Sequence, residues 1–344
     1  LTDFYRPTHQ EASGPQRLPS QTQPWHLKEL SVYITDSCAL SCDGCISVNN
    51  YALGGHLALT EEVQERIRTW ARLVSVDRLY IIGGEPLSHP DLASWMQIVE
   101  ESWPSSRWTI VTNGRGLERR TDEVQTWIEQ GWDLEVSSHS REDFKQVQAW
   151  WAGLVDDMME PTVAQRLKDH MGVTDYWTDS EGAPIMQIGL RDLFYAPTHE
   201  VKDGVIVWNK LTSVRRSHNL CPAKNCTHLV DGRMYSCPVQ ATAPRLAQRY
   251  TIEGPAGALA EKDLGYDPLA KNRQSLSSWM TMLDQPKSQC SLCEWPRPMQ
   301  SLGDPTVKKV KLVKRVSPSS QATEQAHPAI LDDGEHLPTA NSQA

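Results

Sequence analysis

Between residues 30 and 190, short apolar runs alternate with longer amphipathic segments, and this rhythm constrains the fold more than any other feature of the chain. The runs are LSVYIT (30–35), RLYII (78–82), RWTIV (107–111), DLEVSS (133–138) and IMQIGL (185–190). Each has the length and branched, apolar character of a buried strand. The segments between them carry helical spacing. In TEEVQERIRTWARLV (60–74), Val63, Ile67, Trp70, Ala71 and Val74 share one face, Thr60 can cap, and Glu61 and Glu62 suit the first turn. Helices are likewise predicted over 90–103, 121–130 and 141–155, the one over 121–130 stopped by Gly131. Strands that alternate with helices form parallel βαβ units, and ligands of such sheets bind beyond the carboxyl ends of the strands. Cys38, the Gly83-Gly84 turn, Thr112-Asn113-Gly114 and Ser137-Ser138-His139 all fall at predicted strand ends. Scattered in sequence, they are expected to meet on one face.

Outside this stretch the rhythm is lost. Residues 1–27 are rich in Pro, Gln, Ser and Thr without a period and read as a disordered arm. Residues 201–303 contain five of the eight cysteines and many turn signals. Residues 304–344 begin with a basic run, KKVKLVKR (308–315), and end in a Pro/Ser/Ala/Gln-rich tail. The run reads as a solvated tail before it reads as a site for an anionic substrate, because the whole chain carries a net charge of −9. No apolar run approaches the ~20 residues of a membrane span. The amino-terminal residues lack the apolar core of a secretory signal. The expectation is a soluble cytoplasmic protein with no membrane partner.

The cysteines are clustered: 38, 42 and 45, then 221, 226 and 237, then 290 and 293. In a cytosolic chain this size, such clustering points to metal or redox chemistry, not a disulfide framework. The first group lies in TDSCALSCDGCI (35–46). Three thiols are too many for one disulfide and one short of the usual structural zinc site. Soft thiolates suit iron–sulfur clusters, and three on a four-iron cube leave one iron open to a substrate or cofactor. A zinc knuckle or unpaired structural thiols is the plainer alternative.

The spacing CxxxCxxC after a strand resembles the radical S-adenosylmethionine (radical SAM) superfamily. Gly83-Gly84-Glu85-Pro86 resembles that family's GGEP turn, which contacts the amino group of SAM; small residues permit close approach, and carbonyls or Glu85 can accept from an ammonium. Thr112-Asn113-Gly114 resembles a common third-strand ending, which brings Asn113 into the set. Ser137, with Ser138 beside it, resembles the fourth-strand position that contacts the ribose or carboxylate of SAM. The resemblance covers roughly 30–190 and implies a partial (β/α)6 barrel in a core over residues 28–200. One departure stands out: Gly44 occupies the position before the third cysteine where many members carry an aromatic residue near adenine.

Residues 221–240 (CPAKNCTHLVDGRMYSCPVQ) and 290–293 (CSLC) resemble the SPASM/twitch extensions that hold auxiliary iron–sulfur clusters. No cysteine follows Cys293, so the shorter twitch form, with one auxiliary [4Fe–4S] cluster, fits better. Five thiols serve four corners. The family spacing favours Cys221, Cys237, Cys290 and Cys293, with Cys226 a spare or an alternative ligand. DGRMY reads as a hairpin turn that sets thiols at a hairpin base. A zinc site from the same residues, joined by His228, is the alternative. His170, His199 and His218 are isolated and read as surface or structural residues.

The resemblance implies reductive cleavage of SAM at the open iron to a 5′-deoxyadenosyl radical. That radical takes a hydrogen atom from a carbon substrate. The chemistry belongs to the cofactors and the protein positions them. It also implies a low-potential electron donor such as flavodoxin or ferredoxin. Oxidation, epimerisation or rearrangement of a small molecule is the expected outcome. Modification of a peptide, a nucleobase or a carbohydrate is the alternative, with a non-catalytic metal or electron-transfer protein behind both. No catalytic acid, base or hydrogen donor is assigned by sequence.

Overall fold

The computed structural model describes residues 16–17, 25–42, 45–51, 55–158, 165–169, 172–178, 184–191, 193–197, 200–208, 212–221, 223–224, 226–254, 257–260, 262–272 and 274–298. The readings made of Gly44, His170, His199, most of the amino-terminal arm and the basic tail lie outside these residues.

The alternation predicted from periodicity is present. Strand β1 (Trp25–Tyr33) is followed by α1 (Glu61–Leu73), β2 (Val74–Ile82), α2 (Leu92–Ser102), β3 (Arg107–Thr112), α3 (Thr121–Glu129), β4 (Trp132–Ser138) and α4 (Arg141–Met158). Thr60 caps α1 by accepting from the Val63 amide. Gly131, at φ +88°, ends α3 in a backbone conformation that costs glycine little. A hairpin, β5 (Gln165–Asp169) and β6 (Gly172–Thr178), precedes β7 (Pro184–Arg191) and β8 (Leu193–Pro197). The cysteine-rich region adds α5 (Val214–Leu220), β9 (Thr227–Val230), β10 (Arg233–Tyr235), α6 (Pro238–Arg249), α7 (Leu276–Thr281) and β11 (Cys293–Pro298).

The main sheet runs β10-β9-β1-β2-β3-β4-β7-β6-β5. Six neighbours, β9 through β7, are mutually parallel. The count is that of a six-stranded radical SAM sheet, but the sixth parallel strand does not continue the βα series. It is β9, which returns from the cysteine-rich region and pairs with β1, Thr227 opposite Leu30 and Val230 opposite Tyr33. The sequence reading left this strand out because nothing local in THLV announces a partner two hundred residues away. The turn itself was legible. Asp231 and Gly232, at φ +51° and +72°, form the two-residue turn between β9 and β10.

One face of the sheet carries Leu30, Val32, Leu79, Ile81, Ile110, Leu134, Val136 and Ile188, packed against the helices in one core. Tryptophan supplies much of its volume: Trp70, Trp95, Trp132 and Trp151 are fully buried. Each removes on the order of 1.5–3 kcal/mol of apolar surface from water. Trp70 also donates its indole N–H to the Gly232 carbonyl at 3.0 Å, and Arg66 grips Asp267 with two nitrogens. These contacts dock α1 against the cysteine-rich segment.

The other face is polar. Because side chains alternate along a strand, Glu29, Ser31 and Tyr33 share it with Arg78, Tyr80, Thr109, Asp133, Glu135 and Gln187. Asp133 holds Arg107 and Arg78 at its amino-terminal end. The carboxyl-terminal end is left to the cysteines.

Candidate functional site

The first cysteine group lies just beyond β1. Cys38, Cys42 and Cys45 are half-buried thiols in no disulfide. The Cys45 amide donates to the Cys42 carbonyl at 3.1 Å and the Val48 amide to the Cys45 carbonyl at 3.0 Å, which makes a tight turn. Val48 sits at φ +50°, where a β-branched residue is strained by ~1–3 kcal/mol. Burial, and then the neighbouring Cys45 and Cys38, push the Cys42 thiol up to about 12.

The GGEP turn is built around the backbone that leads into this loop. The Gly84 amide donates to the Thr35 carbonyl and the Glu85 amide to the Ser37 carbonyl, both at 2.7 Å. A Cβ on Gly83 would lie 2.5 Å from the Thr35 oxygen, and one on Gly84 2.3 Å from the Ser37 oxygen. Glycine is required here by the approach of two chain segments. Glu85 does not reach outward as expected for a residue that accepts from an ammonium. Its carboxylate turns inward and is 95% buried, taking the Leu87 amide (3.1 Å), the Thr112 hydroxyl (2.7 Å) and the Asn113 amide (2.8 Å). Burial raises its pKa against the pull of those donors. Glu85 is therefore a brace between the ends of β2 and β3, and Pro86 opens the short turn that follows.

Among the residues expected near SAM, Asn113 lies beside the thiols, its Nδ2 3.9 Å from Cys38 Sγ. Ser137 continues the polar face, in line with Asn113. Ser138 points to the opposite face, fully buried, with a hydroxyl that has no hydrogen-bond partner among the described residues. Adjacent strand residues alternate, so the two serines cannot serve one ligand together.

A residue that sequence reasoning passed over, Asp36, ties this loop to α6. It is 99% buried, takes the Tyr33 hydroxyl at 2.8 Å and is ion-paired with Arg245. The side-chain amide of Asn49 lies 2.7 Å from the same hydroxyl. Burial raises the pKa of Asp36, and Arg245 and Tyr33 lower it.

The second group is assembled from three separate segments. Cys221 follows α5, Cys237 is the N-cap of α6, Cys290 lies within the short helical turn Ser288–Leu292, and Cys293 is the C-cap of that turn. All four line one cavity. Burial pushes Cys237 to about 11, opposed by the Gln240 and Val239 amides at the start of α6. His218, Lys287 and Gln289 line the same cavity, and so does Ile46, the residue after Cys45. The two cysteine groups therefore stand on either side of one stretch of chain. His218 Nε2 and Gln289 Nε2 are buried without a hydrogen-bond partner among the described residues. Four soft thiols and two orphaned ring or amide nitrogens fit a sulfide-rich, anionic occupant.

Cys226, counted with the ligands by sequence, is not among the residues that line this cavity. Its Sγ lies 3.5 Å from the Ser31 hydroxyl on the polar sheet face, and burial, with Glu29 the next cause, pushes the thiol to about 12. Cys237 and then Glu135 of β4 add to that rise. His228 is also removed from the cavity lining. It is fully buried beside the Cys226 carbonyl, with its pKa lowered to about 4 by desolvation, and stays neutral. Among the described residues no three His, Cys, Asp or Glu groups stand close enough to share a single ion.

Residues 28–154 match the family model of the 4Fe-4S single cluster domain. The chain is 31% identical over 97 residues to the GTP 3′,8-cyclase of Aquifex aeolicus (strain VF5), a match that spans 27% of this chain and 30% of that protein. It also overlays on the crystal structure of BtrN in complex with AdoMet and 2-DOIA. That overlay has a TM-score of 0.40 and 14% identity, and covers 78% of this chain and 92% of the other.

Proposed function

We propose, from the match of residues 28–154 to the 4Fe-4S single cluster domain and from the cysteine and glycine motifs, that the protein is a radical SAM enzyme acting on a small molecule through hydrogen-atom abstraction. The observation that carries this reading is the convergence of Cys38, Cys42 and Cys45 with the Gly83-Gly84 turn and Asn113 at the carboxyl ends of β1, β2 and β3. When bound, a [4Fe–4S] cluster with SAM at its open iron supplies a 5′-deoxyadenosyl radical.

The chain's own residues do the holding. Three thiolates fix three corners and leave the fourth to SAM. Gly83 and Gly84 bring backbone against the loop without side chains in the way, and Glu85 locks that turn to Thr112 and Asn113. Asn113 and Ser137, on one face, are the side chains best placed to meet SAM. The polar face, with Ser31, Tyr80, Glu135 and Gln187, is the surface offered to a substrate. Cys221, Cys237, Cys290 and Cys293 hold a second [4Fe–4S] cluster in a twitch-like extension. With all four corners held by thiolates, its role is to pass electrons, which favours net oxidation over rearrangement. A flavodoxin- or ferredoxin-like donor in the cytoplasm would reduce the protein. No helix among the described residues is long and apolar enough to cross a membrane.

Anaerobic reconstitution tests the reading. About eight irons and matching sulfide are expected, and dithionite with SAM is expected to release 5′-deoxyadenosine and methionine. A protein that takes up iron but releases no 5′-deoxyadenosine is an electron carrier and not this enzyme.

A further inference from the structure

The cavity of the second cysteine group is lined by two groups that a count of ligands does not use. Lys287 lies three residues before Cys290. Its ammonium is caged by the carbonyls of Met282 (2.7 Å), Leu283 (3.0 Å) and Gln285 (3.2 Å), so the charge cannot swing away. Its backbone N–H lies 3.5 Å from Cys290 Sγ, and its charge acts on both Cys237 and Cys290. Gln289 is 98% buried. Its Oε1 accepts from the Ser288 hydroxyl at 3.0 Å, which leaves Nε2 as a donor without a partner among the described residues. A buried amide left so costs on the order of 1–3 kcal/mol. An occupant that accepts its hydrogen removes that cost.

A caged cation and an unspent N–H donor around four thiolates have a defined electrostatic consequence. Each electron added to an iron–sulfur group makes it more negative. Nearby positive charge and hydrogen bonds to sulfur stabilise the reduced form over the oxidised one.

We propose that Lys287 and Gln289 are positioning residues of the second site, which fix an anionic iron–sulfur group by charge and hydrogen bond and raise its reduction potential. This rests on the reading that the four thiols hold such a cluster. It goes further in assigning the segment Lys287–Cys293 a tuning function beside its two ligands.

The test uses the full reconstituted chain, with iron and sulfide counted and the potential of each cluster followed by electron paramagnetic resonance during redox titration. Lys287→Met and Gln289→Leu are expected to keep about eight irons. In both, the second signal should move to lower potential, more in Lys287→Met, while the first signal stays in place. Lys287→Arg, which keeps the charge, is expected to restore most of the shift. Unchanged potentials at full iron content overturn the proposal. Loss of second-site iron in both Lys287→Met and Lys287→Arg makes Lys287 a structural brace and overturns its tuning role. Loss in Lys287→Met alone supports a charge that holds the group. About four irons in the unaltered protein removes the second cluster itself, and that failure is visible before any variant is made.

Discussion

The two cysteine sites are built in opposite ways. The first is local: three thiols within one short loop, braced by glycines and by an inward-turned glutamate. The second is distributed: four thiols from three segments, gathered around one cavity by the end of α5, the start of α6 and a short helical turn. On the reading proposed above, the first would leave one corner of its cluster to SAM, and the second would fill every corner with a thiolate. An open corner suits binding and bond cleavage, and a closed one suits electron storage. Ile46, which follows Cys45, lines the second cavity.

The sharpest way to break this comparison is to remove each set of thiols in turn. Replacing Cys38, Cys42 and Cys45 with Ala is expected to abolish 5′-deoxyadenosine formation, by more than three orders of magnitude against the unaltered protein, and to leave about four irons. Replacing Cys290 and Cys293 with Ala should also leave about four irons but retain part of the SAM cleavage, uncoupled from product. Product-forming turnover in the second variant would mean that the closed site takes no part in the reaction. Cys226→Ser should keep about eight irons, since its thiol lies against Ser31 and apart from the four-thiol cavity. Loss of half the iron there would restore Cys226 to the ligand set.

The difference between the sites also explains what could be read from sequence. The first was legible because its parts are local. Cysteine spacing, the Gly-Gly turn and strand-end positions are short patterns tied to a regular βα rhythm. The strands and helices of residues 60–158 follow the same periodicities and were found within a few residues. What sequence hid were contacts between distant segments. Nothing in THLV shows that β9 pairs with β1, and nothing near Asp36 announces Arg245 more than two hundred residues later. Glu85 was misjudged because the motif gives its identity but not its rotamer. Lys287 and Gln289 have no motif at all. They matter only because folding brings Cys221 and Cys237 to the turn that carries them.

Arg245 tests whether the two sites are mechanically joined. Its ion pair with Asp36 spans from α6, whose first turn holds Cys237, to the chain two residues before Cys38. Arg245→Met leaves the buried Asp36 carboxylate without its cation. That loss is expected to cost about 3–5 kcal/mol of stability, read from denaturant unfolding. It should weaken SAM binding at the first site although Arg245 lies on the element of the second. Adding Asp36→Asn should recover much of the stability. A variant as stable as the unaltered protein, with SAM affinity intact, would show the two sites to be independent.

Acidification separates the sites by a smaller margin. His228 lies in β9, the strand that anchors the cysteine-rich region to the sheet, and burial lowers its pKa to about 4. Unfolded, the imidazole returns to ~6.5. Between these values the unfolded chain binds a proton that the folded chain refuses, so stability falls as pH falls from about 6.5 to about 4. The full difference is on the order of 3 kcal/mol, and it bears on the docking of β9. Lowering the pH from 7 to 5 is thus expected to release iron from the second site before the first, with hydrogen exchange rising first in 227–235. His228→Leu has no proton to take up and should flatten that limb of the melting temperature against pH. If both sites lose iron together in the unaltered protein, the anchoring of β9 does not limit the second site, and its gathered thiols are held by α6 and the 288–292 turn alone.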